Sequence, residues 1–259
     1  MQISEFDWLV PDWPAPPNVR ALCTSRSGGQ SIGRYAGLNL GLHVGDDPHA
    51  VYSNRQQLQA AVGVRAVFLN QVHGMHIAAI DAQSPDGMEA DGAITTDIGL
   101  ACTVMVADCL PVLFCDAQGH GVAAAHAGWR GLLGAYGQGV LERASSSLCE
   151  RAAVTTLGLM AWLGPCIGPS AFEVGEEVRA AFVADAPKAA PCFSPHGPDK
   201  WLADLPQLAR QRLTALGVTA IYGNDGSQDW CTVANPSRFF SHRRDAVSGR
   251  LGACIWRVG

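Results

Sequence analysis

The chain has 259 residues, 48% of them hydrophobic and 16% charged, which is enough apolar material for one large core rather than two small ones. Formal net charge is -5 at pH 7 with no run of lysine or arginine, which excludes a surface built for nucleic acid or an anionic membrane as partner. No segment reaches the roughly 18 uncharged apolar residues of a membrane span, and MQISEFDWLV at the start is acidic rather than a basic leader, so a cytoplasmic α/β protein in a single domain over 1–259 is expected.

Trp8 to Val10 reads as a short strand closed by the proline-rich PDWPAPP (11–17), and Val19 to Thr24 reads as another. SRSGGQSIGRYAG (25–37) is a loop whose glycines, serines and Arg26 suit a segment that wraps a ligand. Helical spacing covers Val51 to Val62, with Arg55 and several glutamines facing outwards. Val67 to Val72 is β-rich and ends at His73.

After ADGAITT (90–96) come three apolar runs separated by short turns, Leu100 to Val106, Pro111 to Cys115 and Gly121 to Ala125, which read as neighbouring buried strands. The third stops at His126, and Gly128-Trp129-Arg130-Gly131 opens a helix predicted to run to about Leu148. Leu157 to Leu163 is a further strand, followed by a glycine turn over 164–169 and a helix from about Val174 to Ala184. The Pro- and Ala-rich stretch 185–200 reads as a loop, Leu205 to Leu216 as a helix, Val218 to Tyr222 and Ala253 to Val258 as strands. No internal repeat is present.

His73, Cys109 and His126 each lie in or at the end of an apolar run, in NQVHG, ADCLPVLF and AHAGWRG. Such side chains are costly to bury without partners, and two imidazoles with one thiolate match a three-ligand zinc site with a fourth position open. The spacing is not that of a local finger, so only the fold can assemble such a site. Asp91 and Asp108 are the nearest carboxylates in sequence, candidates to accept from the second ring nitrogen of a ligating histidine, although Asp91 before Gly92 also suits a turn. His76 completes an HxxH with His73, but in a strand-to-loop setting the two rings face different ways.

The same residues admit other chemistry. Cys109 with His126 as base would make a cysteine hydrolase, and an inert buried cysteine with two satisfied histidines remains open. Two histidines and a cysteine also suit copper in kind, but a four-copper oxidase needs His-x-His pairs and the eight histidines contain none. The nine cysteines are odd in number, show no CxxC pair and mostly sit in apolar sequence, as small buried hydrophobes do. Arg26, Arg130, Arg244 and Arg250 stand in loops or at a helix start, where guanidinium forks suit phosphate or carboxylate, and the turn 164–169 would add amide donors at a helix entrance.

NQVHG, ADGAITT, ADCLPVLF, AHAGWRG, GPCIGPSAFEV and FFSHRRD with a following GR occur in this order, after TSRSGG and NLGLHVGDD. With these motifs the chain resembles the YfiH family, also called the laccase-domain or "polyphenol oxidase" family, from about Thr24 to Arg250. The resemblance implies a layered αββα fold with mixed β-sheets and a zinc ion held by His73, Cys109 and His126. It implies phosphorolysis of adenosine, inosine and methylthioadenosine, with adenosine deaminase activity beside it, so that nucleoside and phosphate are the small-molecule partners. Carried over, Arg26 and Arg244 become candidates for the anion or ribose side, and His242 stands where many relatives have tyrosine. Some bacterial relatives are linked instead to amide hydrolysis on cytosolic peptidoglycan precursors. Deamination at zinc uses a glutamate proton shuttle, for which Glu89 and Glu173 are the candidates, and Phe172, Phe239 and Phe240 are candidates to stack on a base. Nothing in the pattern sets an oligomeric state.

Overall fold

A computed structural model describes residues 6–259. In chain order its strands are β1 (Val19–Cys23), β2 (Arg65–Phe68), β3 (Ile77–Ala79), β4 (Gly92–Thr95), β5 (Leu100–Val106), β6 (Leu110–Asp116), β7 (Val122–Ala127), β8 (Leu159–Leu163), β9 (Glu173–Gly175), β10 (Phe193–Pro195), β11 (Lys200–Ala203), β12 (Ala220–Gly223) and β13 (Leu251–Arg257). The helices are α1 (Pro48–Val62), α2 (Trp129–Leu133), α3 (Val140–Ala152), α4 (Glu176–Asp185), α5 (Leu205–Ala215) and α6 (His242–Asp245).

Two mixed sheets form the centre, one in the order β1-β13-β5-β2 and the other β12-β8-β6-β7-β4-β3. A period of two along their strands explains the layering. In β6, Leu110, Val112 and Phe114 point to the side covered by α3 and α5, while Leu113 and Cys115 point to the other sheet. In β5, Leu100, Cys102 and Val104 face that same inter-sheet layer, while Ala101 and Met105 face the side of α1. The result is helix, sheet, sheet, helix, the αββα arrangement that the family resemblance implies. Both faces of β5, β6 and β7 are buried, which is why these strands read as unbroken apolar runs. No helix among the described residues is long and apolar enough to cross a membrane.

Several elements differ from their sequence expectation. Trp8 to Val10 makes only an isolated bridge, Leu9 with Cys23, because the prolines that follow cannot continue a ladder. The helix expected to run from Gly128 to Leu148 is two helices, α2 and α3, with a glycine-rich turn between them. Gly134 permits that break: its φ is 63°, and a Cβ there would lie 1.9 Å from the Gln138 carbonyl oxygen, so only glycine fits the turn. Val174 and Gly175, expected to open a helix, belong instead to β9, which pairs with β11 beside β10, so the stretch 185–200 expected as a loop contains β10 and the first residue of β11. Arg55 is not outward-facing but buried, its Nε donating to the Leu40 carbonyl and its guanidinium 3.9 Å from the Phe68 ring centre.

Candidate metal centre

The site lies where the C-terminal end of β7 meets two turns. His126 is the second-last residue of β7, Cys109 ends the turn from β5 to β6, and His73 lies in the connection from β2 to β3. Two of these turns carry unusual backbone. His73 has φ 61° and the neighbour of Cys109, Asp108, has φ 88°, values that non-glycine residues adopt only when the surroundings hold them there.

Asp91, fully buried just before β4, supplies that hold for His73. Its carboxylate accepts the amides of Val72 at 3.2 Å, His73 at 2.8 Å and Gly74 at 2.6 Å, and also Nδ1–H of His126 at 2.9 Å. One side chain therefore shapes the loop of the first histidine and orients the ring of the second. Burial favours the neutral acid, but the hydrogen bonds from His126, Gly74 and Val72 outweigh it and hold the Asp91 carboxyl below its ordinary range.

With Nδ1 of His126 engaged, its Nε2 is the atom left for a ligand. Sγ of Cys109 lies 3.7 Å from Nε2 of His73, and one donor atom from each of His73, Cys109 and His126 lies within 4.8 Å of the others. Donors on a tetrahedral zinc are about 3.3–3.6 Å apart, so this set would need to close by about 1 Å to hold one ion. Burial pushes the Cys109 thiol up, but the charge of His126 and hydrogen bonds from both histidines bring it down to about 6; burial likewise pulls His126 down, but Cys109 and Asp91 outweigh it and draw the imidazole up to about 9. Such a thiolate is ready to serve as metal ligand or nucleophile.

Gly128 is the residue that leaves room. A Cβ there would sit 2.9 Å from Cδ2 of His73 and 3.0 Å from Sγ of Cys109, although its φ of -69° is open to any residue. Gly128→Ala is therefore expected to fold but to push two donors apart and to weaken metal binding roughly 10- to 100-fold, the scale of a disturbed ligand shell. A competition titration with a chromophoric chelator checks it; unchanged affinity would show that the space is not needed.

The donors form part of the wall of a cavity of about 430 Å³ shared with His43, Gln71, Phe172, His242, Arg243 and Arg250. The size suits a small-molecule ligand. Of the arginines singled out in the sequence, Arg26 does not line it: its guanidinium donates to the carbonyls of Ala36 and Pro236 and lies 4.7 Å from the Phe240 ring centre. Arg244 does not line it either, being engaged by Asp245 and the carbonyls of Thr232, Val233 and Phe239. Arg130 rests over Trp129 beside a separate chamber of about 110 Å³ that also touches His73 and Cys109.

Asp108 accepts from neither histidine. Its carboxylate takes the Thr232 hydroxyl at 2.6 Å and the Arg243 amide at 2.7 Å, and so pins the C-terminal segment over the site. The amides of the turn 164–169 do not face a ligand: those of Gly164, Cys166 and Ile167 donate to carbonyls and that of Gly168 to Sγ of Cys231, and the next helix starts only at Glu176. Phe239 and Phe240 are fully buried in a small cluster with Val106 and Leu251, which leaves Phe172 as the aromatic in the wall. Glu89 is exposed and Glu173 pairs with His196 and Lys200, neither lining the cavity. His43, Gln71 and Arg243 stand inside the motifs NLGLHVGDD, NQVHG and FFSHRRD without being singled out there, and Met105 lies in an apolar run; the fold brings the four to one cavity.

Residues 20–258 match the family described as multi-copper polyphenol oxidoreductase laccase. A protein of Pseudomonas aeruginosa named purine nucleoside phosphorylase is 48% identical over 250 residues, covering 96% of this chain and 98% of its own. Purine nucleoside phosphorylase YfiH of Escherichia coli is 46% identical over 252 residues, covering 96% and 98%. Among solved structures, a Neisseria meningitidis protein of family model DUF152 superposes with TM-score 0.90 at 46% identity, covering 98% of this chain and 100% of that one. YlmD of Geobacillus stearothermophilus gives 0.89 at 31% identity, covering 97% and 96%. With a match over nearly its whole length and relatives well above 40% identity, the chain belongs to the laccase-domain family of YfiH-like proteins.

Proposed function

We propose that this protein is a zinc-dependent purine nucleoside phosphorylase acting on adenosine, inosine and methylthioadenosine, with adenosine deamination as a slower side activity. The observation that carries it is the convergence of His73, Cys109 and His126 at the edge of a cavity that also holds arginine and an aromatic ring. The relatives' names supply the reaction class. Two imidazoles and a thiolate suit zinc best, and among the described residues they are the one cluster of metal-capable side chains, where a four-copper oxidase would need more. Copper in the same place is the alternative ion.

Bound there, zinc would supply Lewis acidity toward an oxygen of the substrates. The chain's residues do the rest. Phe172 offers a face for the base, Arg250 a cationic wall with the His43 imidazole beside it, and Asp91 keeps the donors in register. In the reaction a phosphate oxygen forms a bond to C1′ of the ribose as the bond from C1′ to the purine nitrogen breaks. The base leaves with the electron pair and takes up a proton. Holding phosphate and nucleoside in line is the main task of the cavity. Because neither Glu89 nor Glu173 lines it, deamination lacks a glutamate shuttle, which is why it is assigned the slower rate.

Incubation of the purified protein with adenosine is expected to release adenine and ribose 1-phosphate only when phosphate is present. Removing metal with a chelator should abolish this, and zinc should restore it; absence of any nucleoside cleavage would end the proposal. A second reading has support of its own. Cys109, His126 and Asp91 are also arranged as nucleophile, base and orienting acid, which fits an amidase acting on a cell-wall nucleotide precursor. Amide cleavage by such a thiolate would survive chelation, so the same chelator experiment separates the two.

A further inference from the structure

A side lobe of about 260 Å³ adjoins the main cavity, and His43 and Met105 line both. Arg55 lines the side lobe and Arg250 the main cavity, so the partition has a guanidinium on each side. Asp86 lies 3.9 Å from Nη1 of Arg55 and offsets part of its charge. In the main cavity the one carboxylate is Asp108, already engaged by Thr232 and Arg243.

Arg250 differs from the other arginines around the site. Its Nη1 donates to the carbonyls of Ser248 and Gly249, which fixes the plane of the group, while Nε and Nη2 have no hydrogen-bond partner among the described residues. These two donors form the side-on fork that matches two oxygens of a phosphate. The backbone holds the residue in place, its amide donating to Oδ1 of Asn39 and its carbonyl accepting from Leu40. Space for the stem is made by Gly41, where a Cβ would lie 2.8 Å from Cγ of Arg250. Arg243, in contrast, gives Nη1 and Nη2 to the Glu173 carbonyl. Burial and the charges of Arg250 and Arg55 hold His43 below its ordinary range, so its ring faces the partition as a neutral imidazole with an N–H to donate.

We propose that a phosphate group binds at the His43 edge of the main cavity, held by the Nε/Nη2 fork of Arg250 and by His43, with the charge of Arg55 behind the partition. This rests on the phosphorylase reading for its role, not for its existence. The phosphate is either the inorganic co-substrate or the 5′-phosphate of a nucleotide.

The test is titration of inorganic phosphate into the metal-loaded protein, free of nucleoside, followed by calorimetry. Saturable binding is expected, weakened about 10- to 100-fold by Arg250→Met and less by Arg250→Lys and His43→Gln, while adenosine affinity stays within about threefold. Arg250→Lys keeps stem and charge, so a loss in that variant at full metal content is not misfolding. Arg130→Gln should leave phosphate binding unchanged. A parallel titration with adenosine 5′-monophosphate identifies the source: binding tighter than adenosine, dependent on Arg250 and competitive with phosphate, assigns the subsite to a nucleotide, and its absence assigns it to the inorganic ion. Equal phosphate binding by wild type and Arg250→Met, loss with Arg130→Gln instead, or no binding to the wild type overturns the subsite. Phosphate binding without nucleoside cleavage sinks the phosphorylase reading alone, and cleavage whose KM for phosphate ignores Arg250→Met sinks the subsite alone.

Discussion

Cys109→Ala is expected to yield a folded protein with almost no bound metal and at least roughly a thousandfold less turnover, since loss of a donor exceeds the 10- to 100-fold effect of losing a residue that merely orients one. The fold should tolerate it. Cys109 is only half-buried, ends a turn rather than filling a strand interior, and loses a single atom in the change. What remains is a pair of imidazoles, and two nitrogen donors are fewer than zinc retains in protein sites. Metal content per chain measured by mass spectrometry, beside adenosine cleavage, decides the matter. A variant that keeps full metal and most of its turnover would remove Cys109 from the site, whereas one that loses turnover but keeps metal would make Cys109 the nucleophile of a hydrolase.

The second large effect is expected at Asp91. Its carboxylate accepts four hydrogen bonds in a fully buried position, three from successive amides and one from His126. In Asp91→Asn one oxygen becomes an NH2 group that faces N–H donors, so at least one buried amide loses its acceptor. The metal-free protein should lose about 3 kcal/mol or more of stability, the combined effect of lost charge-assisted bonds and an unsatisfied donor. Metal affinity should fall about 10- to 100-fold as His126 loses its orienting partner and the His73 loop loosens. Denaturant unfolding of metal-free wild type and variant isolates the first effect, and a chelator competition the second. Wild-type stability together with wild-type affinity would show that the loop and ring are held by something else.

Asp91 and Asp108 show how far local sequence reaches. Both are the nearest carboxylates to the three candidate ligands, and nothing local distinguishes them. The fold places Asp91 against His126 and sends Asp108 to Thr232 and Arg243, residues more than a hundred positions away. The arginines meet the same limit. Arg26 and Arg244 sit in motifs that resemble the family's, yet their guanidinium groups serve backbone carbonyls, while Arg250 offers its fork to the cavity. A residue type and its local composition report that hydrogen-bond donors are present; they do not report which acceptors the folded chain brings up to them.

Secondary structure divides along similar lines. Strands buried on both faces are legible because an apolar run of six or seven residues, bounded by turns and too short for a buried helix, fits a strand covered on both sides. The three-stranded sheet of β9, β10 and β11 is not, since its short, partly exposed strands gain their stability from pairing across 173–203 rather than from any alternation of their own. The break between α2 and α3 falls at Gly134, which leaves the helical region at φ 63° and approaches the Gln138 carbonyl too closely for any side chain, a contact visible only in three dimensions.

By itself, then, the chain's order of residues determined the buried strands and singled out three metal-capable side chains in or at the end of apolar runs, of which the fold buries His126, half-buries Cys109 and leaves His73 exposed. Those properties are local, a matter of transfer free energy and period along the backbone. Tertiary structure alone decided that His73, Cys109 and His126 meet, that Asp91 braces two of them, and that Arg250, His43 and Phe172 share their cavity. The reason is that donor geometry depends on the crossing of segments 36 and 17 residues apart, and no short-range preference encodes the angle at which two distant turns approach one point.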